Sequence, residues 1–463
     1  MLNSWARVSK SVPYAAVRAE SILNLMEQSD DKDVRPDVRS YSEVILAYST
    51  NGCDRRKTRL SQQNALKCFS LLQRLEDAND IRGKRSNVYA YTMVISALGS
   101  AGLIEKAQAL LIKMLDKSSG SVPGQHLSSD RPNEKTYYAL MKGWARCQEP
   151  QKVEEVLNLM EKLYVKCNDQ AARPSLLCYN IALNCWAKAG LAKRSLNVLH
   201  RMETIAQTKA IPGIFPDIIS YNTCMYALVK TLSQNVIEEV EDLLTHMHAN
   251  GCKPDAVTFN TLLSAYGKHG SRSPLTVKQV ERVNIVLETM KSEYNRTQSM
   301  GIKPTEVTYN AVINALAKSK APNKAKRSQE LLHELKKEKT IPNLYVFTSV
   351  LNACSYTKGD DDEREEALSI LFSTFQDLRR NGLRPNHITY HTLLRGIANL
   401  MPNSRERDDV LVTVFGRCAN EGQVSGKVFY AYKSAVSSKQ FQNLQISSAK
   451  SIPLKWRRNI RTK

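Results

Sequence analysis

Apolar positions along this chain recur in paired helical blocks. In 220–231, Tyr221, Cys224, Met225, Ala227 and Leu228 fall at the spacing of one helix face. A short break follows, and a second stripe runs through Val236, Val240, Leu243, Leu244 and Met247. It stops at Asn250-Gly251, a helix-ending pair, and Pro254 comes just beyond. One such hairpin cannot bury its own apolar face, so the pattern predicts hairpin stacked on hairpin, an all-α solenoid whose hand the pattern leaves open. No apolar run reaches about 18 residues, so no membrane insertion is expected.

A phrase opens each unit: Pro, a small polar residue, a few mixed residues, an aromatic, and a polar residue leading into the apolar stripe. It reads Arg-Pro-Asp-Val-Arg-Ser-Tyr-Ser at 35–42, Phe-Pro-Asp-Ile-Ile-Ser-Tyr-Asn at 215–222 and Lys-Pro-Asp-Ala-Val-Thr-Phe-Asn at 253–260. Further copies stand at 131–138, 173–180, 303–310, 341–348 and 384–391, and a ninth at 85–92 has Ser86 in place of Pro. Successive phrase prolines from Pro132 to Pro385 lie 38 to 50 residues apart. A variable period means a constant unit plus loop insertions, expected at 118–130, 204–214 and 294–301. Trp5-Ala6-Arg7 leading to Leu25-Met26-Glu27 parallels Trp144-Ala145-Arg146 leading to Leu159-Met160-Glu161. The chain therefore opens inside a repeat, which implies sequence upstream. This alignment explains the Arg/Ser-rich, acid-free start better than a transit peptide does, so no targeting peptide is convincingly present. The expected organisation is a solenoid over 1–436 (a half repeat, about nine further repeats and a degenerate C-terminal cap) and a basic tail over 437–463.

Composition narrows the partner. Apolar residues make up 42%, enough for a core. Lys plus Arg number 66 against 45 acidic residues, a net +21 that points to a polyanion, because each cation set on a phosphate releases a condensed counterion. The ten cysteines include no CxxC pair, so no structural zinc is expected and the thiols read as reduced and intracellular.

Catalytic chemistry is missing from the pattern. There is no HxE with PCxxC of a zinc deaminase. Gly422 to Lys427 lacks the spacing and the Ser/Thr of a phosphate-binding loop. Asp360 to Glu363 reads as the acidic first turn of a helix starting near Arg364, and His246 and His248 as a favourable helix end. The chain is read as non-enzymatic, with no cofactor, no metal and no small-molecule substrate.

The sequence resembles the pentatricopeptide repeat family, in its plainest form but with long inter-repeat insertions. The resemblance rests on Val257-Thr258-Phe259-Asn260 and Val307-Thr308-Tyr309-Asn310 as unit openings and on Pro216-Asp217 and Pro254-Asp255 as closings, and it covers roughly residues 1–425. It implies a right-handed α-solenoid superhelix that binds single-stranded RNA, one base per repeat. It also implies mitochondria or plastids, and a role in RNA stability, processing, splicing, editing or translation, with RNA-processing proteins as further partners.

In the family two side chains read each base, the residue after the opening aromatic and the residue after the closing Pro. Carried over, the pairs are Ser42 with Asn87, Thr92 with Asn133, Tyr138 with Ser175, Asn180 with Asp217, Asn222 with Asp255, Asn260 with Thr305, Asn310 with Asn343, and Thr348 with Asn386. Hydrogen-bonding chemistry supports such a code: a carboxylate suits the N3–H of uracil, whereas an amide donor suits adenine N1 or cytosine N3. Asn or Asp at these places is also an ordinary N-cap, but capping does not explain polar residues at both positions. Read 5′ to 3′ from the N-terminus, the pairs spell 5′-AANUUYCA-3′, with Y a pyrimidine. The family sandwiches bases with the residue two past the closing Pro-X, here Leu177, Ile219, Val257, Val307 and Ile388, with Arg39 and Lys135 as departures. Eight residues past the first reader stand Arg146, Lys188, Lys230, Lys268 and Lys318, with Arg7 equivalent in the half repeat. Eight residues is close to two turns at about 3.6 per turn, so these cations share the reader's face and suit phosphates. The rival is a tetratricopeptide-like protein-binding scaffold, which shares the hairpins but not the paired polar readers.

Overall fold

The computed structural model describes the chain apart from residues 1, 10, 13, 32, 51–58, 78–87, 120–130, 232, 234, 339, 443–445, 447 and 461–463. The described residues are helical, with no strand and one isolated bridge between Leu275 and Ser319. They form two compact units, 1–227 and 228–463.

Each hairpin pairs a first helix, opened by the phrase, with a second amphipathic helix. In the first unit these are α1 (Leu2–Val8) with α2 (Ala15–Glu27), α3 (Val38–Thr50) with α4 (Arg59–Asp77), and α5 (Val88–Ala101) with α6 (Ile104–Ser119). Next come α7 (Glu134–Arg146) with α8 (Pro150–Cys167) and α9 (Leu176–Ala189) with α10 (Ala192–Thr208), and then α11 (Ile218–Thr231). The second unit holds α12 (Val236–Ala249), followed by α13 (Ala256–His269) with α14 (Val277–Thr297) and α15 (Glu306–Ala317) with α16 (Lys324–Lys337). It ends with α17 (Leu344–Ser355) and α18 (Asp361–Arg380), α19 (His387–Leu400) and α20 (Arg405–Asn420), and α21 (Gly426–Ala435). First helices stack side by side within each unit, α1 on α3 on α5 on α7 on α9, and α13 on α15 on α17 on α19 on α21.

The stacking is close because the facing residues are small. At the α5/α7 crossing Gly99 faces Gly143, and a Cβ on Gly143 would stand 3.0 Å from the Gly99 Cα. The opening aromatic is buried at every described junction, and a buried phenol needs a partner. It finds one on a second helix or at that helix's C-cap. Tyr41 Oη donates to Glu27 at 2.5 Å, Tyr179 to Glu161 at 2.7 Å, Tyr221 to Glu203 at 2.9 Å, Tyr309 to Glu338 at 2.8 Å and Tyr390 to Glu421 at 2.7 Å. Tyr91 pairs with Glu76 in the same way. Tyr137 is the exception: its hydroxyl is buried and has no partner among the described residues.

The insertions differ from the loops expected of them. The stretch 294–301 continues α14 to Thr297, where Arg296 bonds Glu293 one turn back, and then turns through a short 3-10 helix, Met300–Ile302. Likewise α10 runs on to Thr208. Polar insertions here lengthen second helices before they break. Residues 120–130 of the third insertion lie outside the described residues.

The C-terminal segment folds back on the array. Trp456 packs edge-on against Phe415, Val424 N donates to Trp456 O at 2.7 Å, and Asn459 N donates to Gly422 O at 3.1 Å. Of the basic residues expected in a tail, Lys455, Arg457 and Arg458 therefore belong to a packed cap, whereas Arg461 and Lys463 fall outside the described residues.

Candidate nucleic-acid interface

Each described closing residue sits at the N-cap of the next first helix, where a short polar side chain in extended backbone can satisfy orphan N–H groups. Asp217 Oδ1 accepts from Ser220 N at 2.8 Å, and Asp255 Oδ1 from Thr258 N at 2.9 Å. Asn133 Oδ1 accepts from Thr136 N at 3.2 Å, Asn343 Oδ1 from Tyr345 N and Val346 N, and Asn386 Oδ1 from Ile388 N and Thr389 N. Thr305 closes a capping box with Thr308, while Ser175 makes no side-chain cap bond. Capping and reading are thus compatible. In a closing Asn the carbonyl oxygen is committed to the cap, which leaves the amide Nδ2 to donate. In a closing Asp one oxygen caps and the other remains an acceptor.

The first readers lie one turn into each first helix, half-buried except Ser42, which is only 4% exposed and donates to Val38 O at 2.8 Å. Asn180 and Asp217 come together directly, with Asn180 Nδ2 3.3 Å and 3.4 Å from the two carboxylate oxygens. Thr92 and Asn133 are joined through Thr136, whose hydroxyl lies 2.7 Å from Thr92 Oγ1 and 3.1 Å from Asn133 Oδ1. Thr348 and Asn386 are joined through Thr389 at 3.1 Å and 3.1 Å. Asn310 Oδ1 instead accepts from Ser349 Oγ at 2.8 Å, and the Asn260 Oδ1 atom is buried without a hydrogen-bond partner among the described residues. No bond joins Tyr138 to Ser175; the Ser175 hydroxyl lies 3.6 Å from Cys178 Sγ. Asn222 and Asp255 belong to different units, and Asn87 lies outside the described residues.

In both units the sandwich positions carry exposed apolar side chains. Leu177, Ile219, Val257, Val307 and Ile388 are between 49% and 61% exposed. Two aromatics that the sequence pattern did not single out stand at the same offset, Tyr89 and Tyr345, at 54% and 69%. Counting two past Asn87 and Asn343 would have found both.

The cation row has a second occupation. Lys268 Nζ donates to Val229 O at 3.2 Å, and Lys318 Nζ donates to Gly267 O at 2.8 Å. Asn399, at the same place in α19, donates to Ser355 O at 2.9 Å. Each side chain caps a carbonyl in the last turn of the preceding first helix, where the helix dipole favours a cation. Burial pushes the Lys318 ammonium below its usual range. Arg146 bonds Ser100, again one unit back, while Arg7, Lys188 and Lys230 are exposed.

One junction has no counterpart among the expected openings. Ser425 caps α21, which stacks on α19 as the next first helix, so Gly422 to Tyr430 is a tenth opening without its proline. It adds His391 with Ser425 as a pair, and Lys427 at the sandwich position. Burial, helped by Arg395, Lys427 and His387, holds the His391 imidazole below its usual value and hence neutral near pH 7.

No group of three or more His, Cys, Asp or Glu among the described residues could hold a metal, and no helix there is long and apolar enough to cross a membrane. Asp360 caps α18 through Glu363 N at 2.9 Å, with Asp361 to Glu363 in its first turn, so the acidic run belongs to a helix start.

Hairpins stacked through buried aromatics, with paired polar side chains between exposed apolar ones, define a helical-repeat solenoid protein. A model described as PPR repeat family matches residues 216–268 and 304–355, and one described as PPR repeat matches 89–119, 135–165 and 177–205. The chloroplastic pentatricopeptide repeat-containing protein At3g09650 of Arabidopsis thaliana is 24% identical over 196 residues, 42% of this chain and 21% of that protein. The putative pentatricopeptide repeat-containing protein At5g36300 of the same plant is 22% identical over 209 residues, 45% of this chain and 55% of that protein. The chain thus spans about a fifth to a half of these relatives. Among solved structures, maize PPR10 superposes with a TM-score of 0.50 at 19% identity, over 95% of this chain and 58% of that one. PPR10 in complex with an 18-nt psaJ RNA element superposes with a TM-score of 0.51 at 18% identity, over 99% and 61%. The likeness in structure is one of fold. Over the matched residues the chain carries pentatricopeptide repeats.

Proposed function

We propose that the chain binds single-stranded RNA sequence-specifically and acts in mitochondrial or plastid RNA metabolism, without catalysing a reaction itself. The observation that carries this reading is the junction at Thr92, Asn180 and Thr348, where a first reader and a closing residue stand in hydrogen-bonded register next to half-exposed apolar positions. An aliphatic or aromatic side chain on either side can stack a base, and the polar pair then meets its Watson–Crick edge. Asn180 with Asp217 favours uracil, because the carboxylate oxygen not used in the cap accepts N3–H. Asn133 and Asn386 are held as amide donors, which supports adenine beside Thr92 and Thr348. The net +21 and the exposed Arg7, Lys188 and Lys230 supply the attraction to phosphates. Organellar action is supported by the chloroplastic relative. The particular processing step and any partner proteins belong to the same proposal.

Selection from a randomised single-stranded RNA pool tests it. Enrichment of a sequence related to 5′-AANUUYCA-3′, with affinity falling steeply as salt rises, is the expected result. Enrichment of no sequence, or salt-independent capture of peptides over RNA, would favour the protein-binding scaffold instead.

A further inference from the structure

At the Thr92, Asn180 and Thr348 junctions one side chain touches both readers and is itself shut off from solvent. Thr136, Ser220 and Thr389 are the third residues of α7, α11 and α19, and each is 0% exposed. Each hydroxyl accepts from the backbone N–H of its own closing residue, Asn133 N at 3.3 Å, Asp217 N at 3.3 Å and Asn386 N at 3.4 Å. Each also lies within donating distance of that residue's Oδ1, at 3.1 Å, 2.8 Å and 3.1 Å. Across the junction the same oxygen reaches the first reader of the preceding repeat, Thr92 at 2.7 Å, Asn180 Oδ1 at 2.7 Å and Thr348 at 3.1 Å.

Proton counting makes this more than a helix cap. A hydroxyl has one proton. Thr92 and Thr348 direct theirs to Val88 O and Leu344 O, both at 2.7 Å, so at those junctions the proton between the readers comes from Thr136 or Thr389. At the Asn180 junction the Ser220 proton meets the amide oxygen of Asn180, and the Asn180 amide nitrogen is then the group turned toward Asp217. A buried hydroxyl therefore dictates which atom of each reader is left to face a base. Other junctions lack it: Cys178, Val346 and Ala90 occupy the same helix position, and Asn310 is held by Ser349 from the next residue pair along.

We propose that Thr136, Ser220 and Thr389 are specificity-determining positioning residues, which lock each pair of readers into one donor–acceptor arrangement without touching RNA. The proposal rests on the base-reading role of the pairs and adds residues to it. It separates the Thr92, Asn180 and Thr348 junctions, where a buried hydroxyl is bonded to the first reader and should sharpen discrimination, from those at Tyr138 and Asn310, which should tolerate more bases.

The test is base preference at single positions of a bound RNA, measured by competition among RNAs that differ at one nucleotide, for the full chain and its variants. Ser220→Ala should lower the uracil-over-cytosine ratio at the Asn180/Asp217 position by about tenfold while the neighbouring positions keep theirs; Ser220→Thr should restore it. Thr389→Val keeps the shape of the side chain and should relax only the Thr348/Asn386 position, with Thr389→Ser as the rescuing control. A merely structural hydroxyl would lower thermal stability and leave the ratios alone, and that result, in both alanine and valine variants, overturns the proposal while sparing the base-reading assignment. A parent chain with no preference at either position overturns both.

Discussion

Asp217→Asn is the substitution that best isolates base reading from folding. The N-cap survives it, because an amide oxygen can accept from Ser220 N as the carboxylate oxygen does at 2.8 Å, and Asn and Asp cap almost equally well. What is lost is the charge on that bond and its attraction to the α11 N-terminus, about 0.3–1 kcal/mol. The other carboxylate oxygen, 3.4 Å from Asn180 Nδ2, becomes an amide nitrogen. Two donors then face each other, and the acceptor offered to uracil N3–H becomes a donor suited to cytosine N3. If discrimination by a paired contact here matches that in duplex readout, the preference at this position should move from uracil toward cytosine by about 1–3 kcal/mol. At roughly 1.4 kcal/mol per tenfold that is about 5- to 150-fold. Competition binding with RNAs that differ at one base reads it directly, and circular dichroism checks that the fold is kept. An unchanged uracil preference, in a variant that is folded and still binds RNA, would show that this pair does not read the base.

Replacing Lys188 and Lys230 by Ala should lower the slope of log affinity against log salt by roughly 0.7 for each phosphate no longer neutralised, equally for all RNA sequences. Lys318→Ala should instead cost about 0.5–1.5 kcal/mol in chemical denaturation by deleting its bond to Gly267 O, with little change in that slope. Tyr179→Phe deletes a hydrogen bond to a carboxylate and should destabilise by about 1.5–3 kcal/mol, whereas Tyr137→Phe, which removes a buried unpartnered hydroxyl, should be neutral or stabilising by melting temperature. Glu76, bonded by Lys113, Lys117 and Tyr91, is held down to about 2 against an ordinary 4.5, despite the opposing effect of burial. Its folded value is depressed, so its stabilisation is complete above about pH 4.5 and is lost as pH falls toward 2; Glu76→Gln should flatten the fall in denaturation midpoint over that window.

The hairpin was legible in the chain because everything that makes it is local. The apolar stripes, the proline and small polar residue that start a first helix, and the Asn-Gly stop all act within one unit, and nine repetitions of the phrase left little room for another fold. The reader positions followed from the same register: a residue one turn into a helix and another at its cap can be counted without coordinates. The tenth opening, at Gly422 to Tyr430, went unseen; Val424 stands there in place of the proline.

Other features join residues that the chain keeps far apart, and only packing decides them. Thr136 and Thr92 are 44 positions apart, and nothing in either local pattern says that a capping hydroxyl will also reach across to the previous reader. Lys318 reads as a free cation two turns beyond Asn310; it is the close approach of α13 that brings Gly267 O within 2.8 Å and gives the ammonium a carbonyl to cap. Tyr137 carries the same opening aromatic as Tyr179, yet only Tyr179 has a carboxylate placed to receive its proton. A helix and its caps depend on neighbours a few residues away, so sequence determines them; the sharing of one proton between two repeats depends on the distance between stacked helices, which exists only once the hairpins have packed.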